Sequence, residues 1–204
     1  MHIDDVLDRA HVVSLPLAVR FRGITTREAL LIEGPAGWGE FAPFLEYGPA
    51  ESAAWLRAGL EAAYEGFPEP VRDSIEVNAT IPAVPASEVP AVVERYPGCR
   101  TFKIKVAEKG HTLADDAARV RAVRDAVTQR GDIPILRVDA NGGWSVDEAV
   151  EAAQMMMPLD YMEQPCATTE ELAQVRGRLM RAGLFVRVAA DESIRKVADP
   201  YRVA

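Results

Sequence analysis

Residues 133–163 carry the pattern that decides the fold class of this chain: IPILRVDANGGWSVDEAVEAAQMMMPLDYME. The apolar run over 133–139 predicts a strand, and the apolar run over 159–163 predicts a second one. Between them, Ser145 followed three residues later by Glu148 is typical of a capping box and predicts the start of a helix. A strand, a helix and another buried strand form the unit from which parallel sheets are built.

The same unit recurs on both sides of this stretch. Further apolar runs predict strands at 75–81, 101–106 and 184–190. A short helix is predicted at 87–96. Two further capping-box pairs, Thr112 with Asp115 and Thr168 with Glu171, predict the starts of two more helices. About five strand–helix units indicate an α/β sheet with helices packed outside it. A doubly wound sheet and a (β/α) barrel both satisfy this pattern.

The first part of the chain has a different texture. Apolar runs at 12–19 and 29–33 predict strands, and a helical pattern begins at Pro49. Strands followed by one helix favour a small α+β unit. We therefore predict an α+β domain over 1–73 and an α/β domain over 74–204.

Composition excludes several classes of function. The net charge is −8 and no segment clusters Lys and Arg, which argues against nucleic-acid binding. No run of apolar residues is long enough for a membrane span. Cys99 and Cys166 form no C-x-x-C pair, which fits a reducing compartment. Because the first residues also lack a signal-peptide pattern, we predict a cytoplasmic location.

Three acidic residues fall at the ends of successive predicted strands. Asp139, Glu163 and Asp191 are separated by 24 and 28 residues, about one strand–helix–strand unit each. In-register parallel strands would bring them to the same carboxyl edge of the sheet. Three carboxylates repel one another unless a cation lies among them. The pattern therefore predicts a hard divalent metal with oxygen ligands, Mg²⁺ foremost and Mn²⁺ as the alternative.

Two lysines lie on one predicted strand. Lys103 and Lys105 are two residues apart, so both side chains point to the same face. Mutual repulsion, partial burial and a nearby metal would lower a lysine pKa, and a neutral amine is a competent base. The alternative is a solvated lysine pair on an exposed face. The bulky neighbours Phe102, Ile104 and Val106 favour a buried strand and hence the functional interpretation.

Motifs in the α/β part occur in an order typical of one family. They are TFKIKV at 101–106, VDANGGW at 138–144, YMEQPC at 161–166 and ADES at 190–193. Together they resemble the muconate-lactonizing subgroup of the enolase superfamily, and within it the family of o-succinylbenzoate synthases in its actinobacterial form. In the first part, GWGE at 37–40 and RFRG at 20–23 are similar to the capping domain of these enzymes. The resemblance implies an enolase-type capping α+β domain and an incomplete (β/α) barrel with about its first five strands.

The resemblance also implies a role for each candidate side chain. The three strand-end acids become the Mg²⁺ ligands, with Asn141 beside them. Lys105 becomes the acid/base residue, and Lys103 helps to position it and the substrate carboxylate. Arg22 and Gly23 become substrate contacts.

The implied reaction is a Mg²⁺-dependent syn-dehydration in menaquinone biosynthesis. The small carboxylate substrate is a cyclohexadiene bearing a succinyl chain and a ring hydroxyl, and the product is o-succinylbenzoate. Lys105 would remove the proton α to the carboxylate and then protonate the departing hydroxyl. Alternatives are a dipeptide epimerase or an N-succinylamino acid racemase of the same superfamily, or, outside the enzymes, an inactive fragment or a partner that only binds.

The family pattern extends beyond the last residue of this sequence. Its second catalytic lysine belongs to the strand after the Asp191-Glu192-Ser193 segment, and no counterpart follows before Ala204. We therefore expect a C-terminally shortened form of a longer protein. Because an incomplete barrel leaves an unpaired strand edge, we expect this chain to be poorly soluble or oligomeric, and inactive as a monomer.

Overall fold

A computed structural model describes residues 3–21, 24–196 and 198–203 and divides the chain into two compact units, Met1–Ser74 and Ile75–Ala204. In chain order, the first unit contains α1 Ile3–Leu7, β1 Ala10–Phe21, β2 Ile24–Gly34, β3 Gly37–Phe41 and α2 Pro49–Tyr64. The strands form an antiparallel sheet in the order β1-β2-β3. The two strands and the helix expected in this part are confirmed, whereas α1 and β3 were not predicted.

Glycines let α2 lie directly on the sheet of the first unit. A Cβ atom added at Gly39 would stand 1.8 Å from the carbonyl oxygen of Gly59, and one added at Gly34 would stand 2.1 Å from that of Ala63. Any side chain at these two strand positions would push the helix away from the sheet. This packing gives a physical reason for the second glycine of the GWGE motif.

The second unit alternates strands with helices. Its elements are β4 Ala79–Ile81, a 3₁₀ turn Ala86–Glu88, α3 Val89–Val93, β5 Thr101–Lys105, α4 Leu113–Gln129, β6 Ile135–Asp139, α5 Val146–Met156, β7 Tyr161–Glu163, α6 Thr169–Arg181, β8 Arg187–Ala189, a 3₁₀ turn Glu192–Ile194 and α7 Pro200–Val203. All five strands are parallel and neighbour one another in sequence order, β4-β5-β6-β7-β8. A doubly wound sheet reverses its strand order part-way, whereas a barrel adds strands sequentially. The barrel-type alternative is therefore the correct one.

The register of this sheet sets two layers of side chains on one face. The upper layer, at the carboxyl edge, consists of Lys105, Asp139, Glu163 and Ala189. The layer below consists of Lys103, Arg137, Tyr161 and Arg187. Residues between the layers point to the opposite face, where Ile104, Val138 and Met162 are fully buried in the core formed with the helices.

All three predicted capping boxes are present. In each, the hydroxyl accepts a hydrogen bond from the third-residue N–H and the acidic side chain accepts one from the cap N–H; the pairs are Thr112 with Asp115, Ser145 with Glu148, and Thr168 with Glu171. These caps fix where α4, α5 and α6 begin and hence the loops that follow the strand ends.

The outer strands are shorter than the apolar pattern predicts. The run over 75–81 forms a strand only over Ala79–Ile81, because only these residues pair with β5. Ile75 and Val77 lie outside the sheet and are exposed. At the other side, β8 covers only Arg187–Ala189 of the predicted 184–190. Among the described helices, none combines the length and apolar character needed to cross a bilayer.

Candidate metal and base site

Two carboxylates at the carboxyl edge of the sheet share one ammonium group. Lys103 Nζ lies 2.7 Å from Glu163 Oε1 and 3.2 Å from Asp139 Oδ2. The Asp139 side chain is fully buried and that of Glu163 is 11% exposed. A single cationic group thus contacts the two predicted metal ligands on β6 and β7 at once. The Asp139 and Glu163 carboxylates together attract positive charge.

The second lysine contacts the same carboxylate from the next layer. Lys105 Nζ donates to Asp139 Oδ2 at 2.5 Å and to Asn141 Oδ1 at 2.9 Å. The backbone N–H of Asn141 donates to the other oxygen of Asp139 at 3.1 Å. Both predicted lysines and the predicted Asn141 therefore lie around one buried carboxylate. The side chain of Lys105 is 33% exposed, so its amine is accessible at the rim of the sheet.

Backbone hydrogen bonds lock the strand ends that carry these groups. Val106 N–H donates to Asp139 O at 3.0 Å, and Ala140 N–H donates to Glu163 O at 3.2 Å. Asn141 then takes a left-handed φ of 46°, which turns the chain away from the sheet. Asparagine tolerates this conformation better than most residues, so the turn after Asp139 is encoded locally.

The pKa of Lys103 departs from the expected direction. Burial of the amine lowers it, but the hydrogen bond to Glu163 and the negative charges of Asp139 and Glu163 outweigh burial, and the pKa is raised. The expectation of a lowered lysine pKa included a nearby metal and the repulsion between the lysines, whereas the two carboxylates in direct contact with Lys103 act in the opposite direction. The raised pKa favours the ammonium form of Lys103 between the two acids.

Asp191 is not gathered with the other two acids. β8 ends at Ala189, so Asp191 lies two residues past the strand end, at the start of the 3₁₀ turn, and it is exposed. Within residues 3–21, 24–196 and 198–203, no three His, Cys, Asp or Glu side chains lie close enough together to hold a metal ion. Asp139 and Glu163 thus form a preassembled pair, and Asp191 is attached to the neighbouring strand end.

The donors nevertheless fit a hard divalent cation in type. All three acidic candidates offer carboxylate oxygens, which Mg²⁺ prefers. Asp139 and Glu163 lie against the amines of Lys103 and Lys105, and Asp191 offers a third carboxylate from the adjoining strand end. The residues that would hold Mg²⁺ are therefore Asp139 and Glu163, joined by Asp191 from the adjoining strand.

The remaining predicted contacts, Arg22 and Gly23, lie outside the described residues. Conversely, two buried groups beside the site were not predicted. Gln164 follows Glu163 directly, and Arg119 on α4 donates to the carbonyl oxygen of Lys105 at 3.0 Å. The polar Gln164 inside an otherwise apolar strand–loop junction was a usable signal, whereas Arg119 resembles an ordinary charged position on a helix.

Family models match most of the chain. The enolase N-terminal domain-like model matches residues 12–63, and the enolase C-terminal domain-like model matches residues 86–204. The second match alone covers more than half of the sequence. The chain therefore belongs to the enolase superfamily.

Named relatives and solved structures show which members of the superfamily this chain is similar to. The chain is 59% identical to the o-succinylbenzoate synthase of Mycolicibacterium smegmatis, over 98% of this chain and 60% of that protein. Among solved structures, an L-Ala-D/L-Glu epimerase from Bacillus subtilis is similar with a TM-score of 0.71 at 24% identity, over 95% of this chain and 69% of that one. The Mg-complexed o-succinylbenzoate synthase from Thermosynechococcus elongatus is similar with a TM-score of 0.63 at 20% identity, over 95% and 71%. The chain spans about 60% of the length of the curated relatives it matches.

Proposed function

We propose that this chain supplies the metal ligands and the general base of an o-succinylbenzoate synthase, a hydro-lyase. One observation carries the proposal: the Lys105 amine contacts a fully buried Asp139, which shares the Lys103 ammonium with Glu163. A base, a positioning cation and two carboxylates thus meet at the strand ends. The identity to the mycobacterial synthases supports this substrate over others in the superfamily.

The chemistry follows from the difficulty of the reaction. A proton α to a carboxylate is very weakly acidic, so its removal requires strong stabilisation of the resulting dianion. Lys105 would take this proton and, as an ammonium, deliver it to the departing ring hydroxyl on the same face. Lys103 would stay charged and hold the substrate carboxylate. Loss of water then leaves an aromatic ring, which favours the product.

The proposed cofactor is Mg²⁺, with Mn²⁺ as a substitute. When bound, the metal would supply the positive charge that stabilises the dianion at the substrate carboxylate. Asp139, Glu163 and Asp191 would hold it. We further propose a cytoplasmic location, which the two free thiols Cys99 and Cys166 support.

The test is a dehydration assay that follows the ultraviolet absorbance of the diene, with EDTA as the metal-free control. Lys105→Ala should reduce the turnover number by roughly 100- to 10,000-fold, the usual contribution of a general acid–base group. Its Mg²⁺ affinity should remain within a few-fold of the wild type. Lys109→Ala, at an exposed lysine four residues further on, is the matched control and should keep full activity.

The assay should be run on this chain and on the longest reading frame that contains it. Metal-dependent dehydration that Lys105→Ala abolishes would support the proposal. Near-wild-type turnover in Lys105→Ala would show that Lys105 is not the general base. Racemisation of N-succinylamino acids or epimerisation of dipeptides, without dehydration, would favour the racemase or epimerase alternative of the same superfamily.

A further inference from the structure

A fully buried amide links the end of β7 to the segment that carries Asp191. Gln164 Oε1 accepts the backbone N–H of Asp191 at 2.9 Å and that of Ser193 at 3.3 Å. Gln164 Nε2 donates to Ser193 Oγ at 2.7 Å and to Cys166 O at 3.0 Å. Its side chain is 0% exposed, and all four hydrogen-bonding directions of the amide have a partner.

We propose that Gln164 is a positioning residue for the metal site, which sets where Asp191 stands relative to Glu163. This inference rests on the proposed metal site. Gln164 is the direct neighbour of one candidate ligand, and it bonds the backbone of another. No other residue in the described part of the chain joins these two strand ends in this way.

The need for such a link follows from the sheet. The β7–β8 ladder ends with the pair Glu163 and Ala189, followed by one further bond from Gln164 N–H to Ala189 O at 2.8 Å. Asp191 lies beyond the ladder, so sheet hydrogen bonds do not fix its position. Beyond the ladder, the side chain of Gln164 accepts hydrogen bonds from the backbone N–H groups of Asp191 and Ser193. It replaces ladder bonds at the point where the chain turns into the 3₁₀ turn.

Residue 164 adopts an unfavourable backbone conformation in this arrangement. Gln164 has a φ of 37°, in the left-handed region that glutamine rarely adopts. The surrounding contacts hold it there, and the conformation aims its side chain at the next strand end. Non-glycine residues in such conformations persist where the structure around them over-determines the geometry.

A second contact to the same turn is weaker. Asn141 Nδ2 donates to Glu192 Oε1 at 3.0 Å, but Asn141 is exposed. Water competes more readily for a hydrogen bond between exposed groups than for one whose acceptor is fully buried, as Gln164 Oε1 is. We therefore assign the position of Asp191 mainly to Gln164.

Two substitutions separate this role from general packing. Gln164→Ala leaves the N–H groups of Asp191 and Ser193 without their acceptor. Gln164→Met keeps the approximate size of the side chain but removes both its acceptor and its donor. Gln154→Ala, at an exposed glutamine on α5, is the matched control. Asp191→Asn reports what loss of the ligand itself does.

The experiment is calorimetric titration of the longest reading frame with MgCl₂, and with MnCl₂ as a second probe, together with thermal melting of each variant without metal. We expect both Gln164 variants to bind 10- to 100-fold more weakly, as is typical when a group that orients a metal ligand is removed. Gln154→Ala should match the wild type. If Gln164→Ala does not fold, Gln164→Met carries the test.

The outcomes are distinguishable. Wild-type affinity in a folded Gln164→Met with a lowered melting temperature would make Gln164 a packing residue and overturn the inference. The proposed function would stay intact in that case if the wild type binds metal and Asp191→Asn binds it more weakly. Unchanged affinity in Asp191→Asn would also overturn the inference, because the residue being positioned would not be a ligand. Absence of binding by the wild type would overturn the proposed metal site and the inference together.

Discussion

Two clusters of charged side chains lie on the same sheet, and they differ in the type of cationic side chain that contacts their carboxylates. At the carboxyl edge, Asp139 and Glu163 contact lysine ammonium groups. Near the opposite edge, Asp160 lies between two arginines: its carboxylate is 2.9 Å from Arg137 Nε and also bonds the guanidinium of Arg187. The first cluster combines two acids with two lysines, and the second places one acid between two arginines.

On this one sheet, the carboxyl-edge cluster is the candidate functional site, and the Asp160 cluster has a structural character. Arginine is always charged, so Arg137 and Arg187 keep positive charge beside Asp160 throughout the physiological pH range. Arg137 also stacks over the Tyr161 ring at 4.8 Å. Lysine is a compact charge on a flexible stem that can titrate and move. The carboxyl-edge cluster combines largely buried carboxylates with partly exposed amines, which suits a bound cation and a proton transfer.

The largest expected effect lies just beneath the carboxyl-edge cluster. Arg119 and Asp116 form an ion pair at 2.7 Å with both side chains 1% exposed. Arg119 holds the carbonyl of Lys105, and Asp116 accepts the N–H of Ala107 at 2.9 Å, where φ is 58°. Arg119→Met leaves Asp116 as an uncompensated buried charge and should cost about 3–5 kcal/mol of unfolding free energy. Urea denaturation measures the loss.

The control for this prediction is Arg121→Met, an exposed arginine on the same helix, which should change the unfolding free energy by less than about 0.5 kcal/mol. Equal effects of the two substitutions would mean that the buried pair does not support the strand end that carries Lys105.

The elements that depend on nearby residues could be predicted from the sequence. The three capping boxes, the parallel strands β5 to β7 and the placement of Asp139 and Glu163 at one edge of the sheet follow from spacing and alternation. The position of Asp191 did not follow, because it depends on where β8 leaves the ladder and on the side chain of Gln164. The raised pKa of Lys103 was missed for a similar reason: its cause is contact with two acids on other strands, which periodicity does not measure.

The second prediction contrasts the two clusters directly. Asp139→Asn removes a buried charge from the proposed metal site, where low polarity strengthens each charge–charge interaction, so Mg²⁺ affinity should fall by at least roughly 100-fold. Asp160→Asn removes a charge that arginines already neutralise, so affinity should stay within about two-fold. Calorimetric titration of both variants measures the contrast. A comparable loss in the two would mean that the metal is not bound at the carboxyl edge.

The smallest expected effect is the pH dependence of the Asp160 cluster. Burial raises the pKa of Asp160, but hydrogen bonds and charges from Arg137 and Arg187 outweigh it, and the pKa is lowered. A carboxyl whose pKa is lower in the folded state stabilises the fold above its unfolded pKa of about 4 and loses this contribution as pH falls through the folded value. Because Arg187 is largely exposed, Asp160→Asn should cost only about 1–2 kcal/mol at pH 7. In urea denaturation from pH 7 to pH 3, the difference between wild type and variant should shrink below about pH 4; a difference that stays constant would show that the arginines do not stabilise the charged form.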